Sequence, residues 1–346
     1  MVGLLVGGLV VGLLGGPAAG SARAGLYHAY SCHTPTWAPA PTQGWSSATS
    51  GSSYAIDDCG GGPTYGLAAA LGGGVAHPAN TTAAVWAFTA APDLRLAGAT
   101  LWRYEAVPGG VGANSSYVTY LSAPTAAYDV ADVFDNCQAD TGCRVRGSNV
   151  AAFDPSNRVV VPPAFIAGAQ QLFVAAYCGG IDGRVCPPTP GYPALAVVYA
   201  ADLTLEDTLP PDAASVGGGL LGAGTLAGGQ EIWFRAYDRG SGVYAATITV
   251  DGRTVSSQVI DDNAGDCMTV GEATDGLRDF REQTPCKSAV SADLTLDTGQ
   301  IPDGRHALAV TVDDAAGNVT SVYDGTITTH NAPGGGAAQI TGVLAQ

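Results

Sequence analysis

Short runs of β-branched and aromatic residues recur along the chain, separated by Gly, Pro, Asn and Asp. Val85–Phe88, Thr100–Tyr104, Tyr117–Tyr120, Leu172–Tyr177 and Leu195–Tyr199 are such runs. Each has the length of a strand and is bounded by residues that turn the chain. Apolar positions at helical spacing are scarce; Tyr65 to Leu71, ended by Gly72-Gly73-Gly74, is the one segment that reads as a helical turn. At Pro210-Pro211 the pattern breaks, because paired prolines stop both a helix and a central strand. Beyond the break, strand-like segments follow at Glu231–Asp238, Val243–Val250, Thr254–Ile260, Ala292–Leu296, His306–Asp313 and Thr320–Thr329. Six or seven short strands in about 110 residues suit an immunoglobulin-like sandwich. At 346 residues the chain also exceeds the size at which one core stops growing. The expected fold class is therefore all-β, with two β-sandwich domains: a jelly-roll-like one over 25–207 and an immunoglobulin-like one over 217–330. Residues 208–216 are read as a linker, and 331–346, with Pro333-Gly334-Gly335-Gly336, as a flexible tail.

Particular turns in the second half carry a resemblance. Ala236-Tyr237-Asp238-Arg239-Gly240-Ser241-Gly242-Val243, then Val250-Asp251-Gly252, then Pro302-Asp303-Gly304 and Asp314-Ala315-Ala316-Gly317-Asn318 stand in order. They resemble the A-x-D-x-x-S-G-V and D-x-x-G-N turns of bacterial extracellular immunoglobulin-like domains. The resemblance covers about 225–330 and implies a fold rather than an activity. One departure is the polar insertion enclosed by Cys267 and Cys286, where many such domains have a short loop. For the first half no family is recognised.

Composition narrows the class further. With 46% hydrophobic residues, 49 glycines and only 13% charged residues, the chain is globular and rich in turns rather than disordered. Thirty acidic against 14 basic residues give a net charge of −16. That surface repels phosphate backbones and anionic membranes, so neither nucleic acid nor a lipid surface is an expected partner. An apolar run from Leu4 to Leu14, followed by Ala22-Arg23-Ala24, reads as a signal peptide over 1–24. No Lys or Arg precedes that run, which suggests an upstream start. No stretch of the mature chain is long and apolar enough to span a bilayer. Eight cysteines in an exported chain point to four disulfides. Nearest-neighbour pairing is expected: Cys32 with Cys59, Cys137 with Cys143, Cys178 with Cys186, Cys267 with Cys286. Scattered histidines and the lack of a C-x-x-C pair argue against zinc. The expected location is secreted or at a bacterial cell surface.

No nucleophile elbow, metalloprotease helix or phosphate loop is present. Paired carboxylates for glycoside hydrolysis cannot be picked from sequence; Glu105, Asp129, Asp135 and Asp140 are the first domain's candidates, against a reading as solvated surface acids. Calcium is the sharper metal reading. In an immunoglobulin-type Greek key the loops after the second and sixth strands share a pole, which brings Asp238 near Asp313 and Asp314. The competing explanation is that these side chains cap their own turns. Asp261 to Asp266 resembles an EF-hand loop only superficially, its glycine standing one position early. Trp37, Trp45, Tyr54 and Tyr65 lie among Pro, Gly and Ser and could form a sugar-stacking platform or pack locally against a Cys32–Cys59 loop. Trp86, Trp102 and Trp233 fall inside strand-like runs and read as core. The favoured function is a non-catalytic secreted protein that binds a carbohydrate or other surface ligand through its first domain, with the second as a spacer. An extracellular polysaccharide hydrolase and a structural envelope protein are the alternatives.

Overall fold

A computed structural model describes residues 25–62, 65–107, 117–124, 132–179 and 185–331. The expected leader over 1–24, nearly all of the expected tail and Asp129 lie outside the described residues.

The first sandwich contains β1 (Gly25–His33), β2 (Trp45–Ser50), β3 (Ser53–Asp57), β4 (Leu67–Leu71), β5 (Ala83–Thr89), β6 (Leu94–Ala106), β7 (Tyr117–Ser122), β8 (Val133–Gln138), β9 (Gln171–Cys178) and β10 (Leu195–Asp207). One sheet has the order β2-β5-β9-β7-β8. The other is built on β10, which pairs with β6 along its whole length and with β4 and β1 on its opposite edge. Tyr27, Leu67, Leu71, Phe88, Leu101, Leu121, Leu172 and Leu203 fill the space between the sheets and are fully buried. Leu67–Leu71, expected within a helical turn, is a strand between β3 and β10. Burial against both neighbours removes the alternation that would have marked it. A bulge leaves Tyr199 of β10 without a partner on β6. On the outer face there, Tyr199, Val197 and Ala152 make a small cluster with Trp102, Tyr104 and Phe153.

The second sandwich contains β11 (Asp212–Gly217), β12 (Gly229–Tyr237), β13 (Val243–Val250), β14 (Arg253–Val259), β15 (Arg278–Phe280), β16 (Ala289–Asp297), β17 (Gly304–Asp314) and β18 (Val319–Thr329). A three-stranded sheet, β11-β12-β16, faces one in which β18, β17, β13 and β14 follow in order. Ile232, Phe234, Leu294, Ile248, Val310 and Ile327 form the core between them. Most of the segment read as a linker is strand β11. Trp233, read as core, is instead 48% exposed. Ile232 and Phe234 take the inward phase of β12, and strand alternation sends Trp233 outward.

The insertion between β14 and β16 leaves its own sandwich. Its strand β15 extends the first domain's sheet, pairing in parallel with β1 from Tyr27↔Arg278 to Ala29↔Phe280. Phe280 is fully buried, edge-on to Tyr27 at 6.0 Å and to Tyr244 at 5.9 Å. Gln43 Oε1 accepts from the Gln283 and Thr284 amides at 2.9 and 3.1 Å, and Gln283 Oε1 accepts from the Ala91 amide at 2.9 Å. The first sandwich's core therefore takes in this insertion, while the second sandwich keeps a core of its own. All eight cysteines form the four nearest-neighbour disulfides. Among the described residues no helix is long and apolar enough to cross a membrane.

Candidate functional site

Where β1 ends, the chain turns through two residues in left-handed backbone conformation, Cys32 at φ 68° and Trp37 at φ 75°. That region is unfavourable for a bulky side chain and costs roughly 1–3 kcal/mol, so surrounding contacts must hold it. Several do so. The Trp37 amide donates to the Thr34 carbonyl at 3.0 Å, and Cys32 is tied to Cys59. Glu272, from the second domain's insertion, accepts from the Thr34 hydroxyl at 2.9 Å, the Thr36 amide at 3.2 Å and the Thr36 hydroxyl. Glu272 is itself fixed, since the Asp279 carboxylate accepts from the amides of Gly271, Glu272 and Ala273.

Trp37 stands edge-on to Phe153 with ring centroids 4.2 Å apart and keeps 38% of its surface exposed. It lines a depression of about 460 Å³ with His33, Pro39, Cys59, Gly60 and Gly62. Tyr65, 47% exposed, lies against Gly61 and Gly62 beside it. His33 Nδ1 is hydrogen-bonded at 2.8 Å to the Tyr199 carbonyl, which can only accept. In the neutral ring this fixes the proton on Nδ1 and leaves Nε2 as an acceptor. An exposed indole and one oriented, largely buried acceptor thus line a shallow concavity, with a phenol beside it.

The other two predicted aromatics lie elsewhere. Tyr54 of β3 is exposed and meets Tyr192 edge-on at 6.4 Å. Trp45 of β2 is half-buried, 5.8 Å from Phe88, with its Nε1 buried and unpaired.

Of the first domain's acids, Glu105 and Asp135 come together inside the sandwich. Arg103 donates to Asp135 Oδ2 through Nε at 2.8 Å and Nη2 at 2.6 Å, while Glu105 Oε2 stands 3.4 Å from Arg103 Nε. Glu105 is buried with the Thr119 hydroxyl and the Arg103 guanidinium as its polar neighbours. Burial, reinforced by the charge of Asp135, pushes the Glu105 carboxyl up to about 7. Such a carboxyl has the acidity of a general acid, but at 0% exposure it contacts no substrate unless the sandwich opens. Asp140 is exposed in the turn after β8.

The second domain's acids divide by strand phase. Asp313 points away from the core and accepts from Arg278 Nη2 at 2.6 Å. Asp314 and Asp238 meet Asp207, the last residue of β10, which carried no expectation from sequence. Ligand-capable oxygens of the three lie within 4.8 Å of one another, and the residues are 0–2% exposed. Burial raises Asp238 to about 6 and Asp314 to about 8, and the neighbouring carboxylates add to both. The acidic run from Asp261 is a tight turn capped by its own side chains: Asp262 accepts from the Ala264 amide, and Asp261 pairs with Lys287 Nζ at 2.6 Å.

No protein-family model and no curated protein sequence matches this chain. Among solved structures it is similar to a GH2 β-galacturonidase from Eisenbergiella tayi bound to glycerol, at 8% identity, over 82% of this chain and 43% of that one, with a TM-score of 0.20. The chain thus spans less than half the length of that enzyme, and the superposition is too distant to carry an argument.

Proposed function

We propose that the chain is an exported, non-catalytic protein that binds a neutral glycan in the depression beside Trp37. The supporting observation is Trp37 itself: a half-exposed indole held in a strained backbone by a carboxylate from the other domain. Strain that is over-determined by its surroundings concentrates at binding sites. The depression's volume falls within the range of about 300–1,000 Å³ usual for ligand sites, with apolar walls and few polar groups. An indole face stacks on the apolar face of a pyranose, and the lone pair of His33 Nε2 suits a sugar hydroxyl. The net charge of −16 disfavours anionic polymers, which narrows the ligand to a neutral one. Four disulfides suit an oxidising compartment.

The test is depletion of the intact, oxidised chain from solution by insoluble neutral glycans (cellulose, chitin, mannan and starch), with reducing sugar assayed in the supernatant. Retention by one glycan, lost in Trp37→Ala and kept in Tyr54→Ala, is the expected result. Equal retention of both variants, retention by none, or release of reducing sugar overturns the proposal.

A further inference from the structure

The three meeting aspartates share a pattern. On β10 the inward positions are Leu203, Leu205 and then Asp207. On β12 they are Ile232, Phe234 and Ala236, and the next in phase is Asp238. On β17 they are Leu308, Val310 and Val312, followed by Asp314. In each case the core-facing alternation ends on a carboxylate, where hydrophobic packing would call for an apolar side chain. Each end is held in place by turn amides. Asp207 accepts from the Leu209 amide at 3.0 Å and the Ser241 amide at 2.7 Å. Asp238 Oδ2 accepts from the Gly240 and Gly242 amides at 3.0 and 2.6 Å, while Asp314 Oδ1 accepts from the Asn318 main-chain amide and Oδ2 from its side-chain Nδ2, both at 2.8 Å. Space is reserved as well, since a Cβ on Gly240 would stand 2.1 Å from Asp207 Oδ2.

These bonds leave one oxygen unserved. Asp238 is 2% exposed, and its Oδ1 is buried with no hydrogen-bond partner. No ion pair among the described residues involves any of the three carboxylates; the nearby Arg278 is spent on Asp313 and on the Asp314 main-chain carbonyl. A buried carboxylate without a cation or a full set of hydrogen bonds costs several kcal/mol, so the cluster demands a positive species. We propose that Asp207, Asp238 and Asp314 bind one calcium ion that fastens the two sandwiches together. The donors are all oxygen, which excludes the nitrogen- and sulfur-seeking metals. Oxygens spread over as much as 4.8 Å suit bonds of about 2.3–2.6 Å better than the regular, tighter shell of about 2.1 Å that magnesium needs. Asp207 comes from the first sandwich and the other two from the second, so the ion crosses the junction. This inference is independent of the glycan reading.

Equilibrium dialysis of Ca²⁺ against the intact, chelator-stripped chain tests it. The expected result is one ion per chain with a Kd of about 0.1–1 mM, the range of extracellular modules. Asp238→Asn should weaken binding about tenfold or more, and Asp313→Asn, one position out of phase, should leave it unchanged. Absence of saturable binding by a natively folded chain, which would leave shared protons as the neutralising species, overturns the proposal. So does equal loss in the Asp313 and Asp238 variants. Should Asp238→Asn fail to fold, the wild-type Tm carries the test: it should rise with millimolar Ca²⁺ and much less with Mg²⁺, and an equal or absent rise overturns the proposal.

Discussion

Truncating Phe280 to alanine examines the coupling between the two sandwiches. Its ring belongs by chain to the second domain's insertion and by packing to the first domain's core, fully buried between Tyr27 and Tyr244. Removing a buried phenyl costs about 3–5 kcal/mol, from lost transfer energy and the cavity left behind. Collapse of Tyr27 into the gap is opposed by its hydroxyl, which donates to the Gln283 carbonyl, so the upper half of that range is expected. Against a typical total of about 5–15 kcal/mol the loss is severe. Urea unfolding, followed by tryptophan fluorescence and by near-UV circular dichroism, should show a single transition displaced to lower urea by the same amount in both probes. The same reasoning expects residues 25–207 alone to be far less stable than the intact chain, because they lose Phe280 and the pairing of β15. A change below about 1 kcal/mol, or a displaced transition in only one sandwich, would refute the coupling through Phe280.

Three further expectations follow from the same geometry. Glu105 stands at about 7 against an ordinary 4.5, so its own contribution to stability should fall, by a few kcal/mol, as pH rises from about 4.5 through 7; Glu105→Gln should lose that part of the profile and be the more stable chain at pH 8, as measured by urea midpoints. Burial alone would lower His28, but Asp202 at 2.6 Å and Asp275 at 3.0 Å override it and hold the imidazole at about 9. Its contribution is therefore complete below the unfolded value of about 6.5 and lost as pH rises through 9, and urea midpoints of His28→Gln should be flatter than wild type over that window. Glu272→Ala should release the Trp37 turn without touching the ring, weakening glycan retention about tenfold and lowering the urea midpoint by the equivalent of about 1–3 kcal/mol, since it removes the acceptor of three hydrogen bonds between the domains.

Strand content was legible because alternation and turn residues are local. The turns after β12 and β17 of the second sandwich were legible too, and with them the meeting of Asp238 and Asp314. Strand phase settled what residue spacing alone did not. Asp313 and Trp233 sit one position out of register with the apolar residues around them, so both face outward. Asp207 could have been found by extending the Leu203-Leu205 alternation by one step. Glu272 and Phe280 had no local signal, because a polar insertion closed by Cys267 and Cys286 gives no hint that it docks on a strand some 250 residues earlier. Leu67–Leu71 was misread because an apolar run covered on both faces has no period of two or of three and a half.

Hydroxyl-radical footprinting of the intact chain, with and without the retained glycan, measures the proposed site directly by reading oxidation of each aromatic residue by mass spectrometry. Trp37 and Trp233 are both substantially exposed, at 38% and 48%, so each is a reporter for its own face. The account expects bound glycan to protect Trp37 and Tyr65 while Trp233 and Tyr54 oxidise as before. Unchanged oxidation of Trp37, or protection of Trp233 in its place, would contradict it.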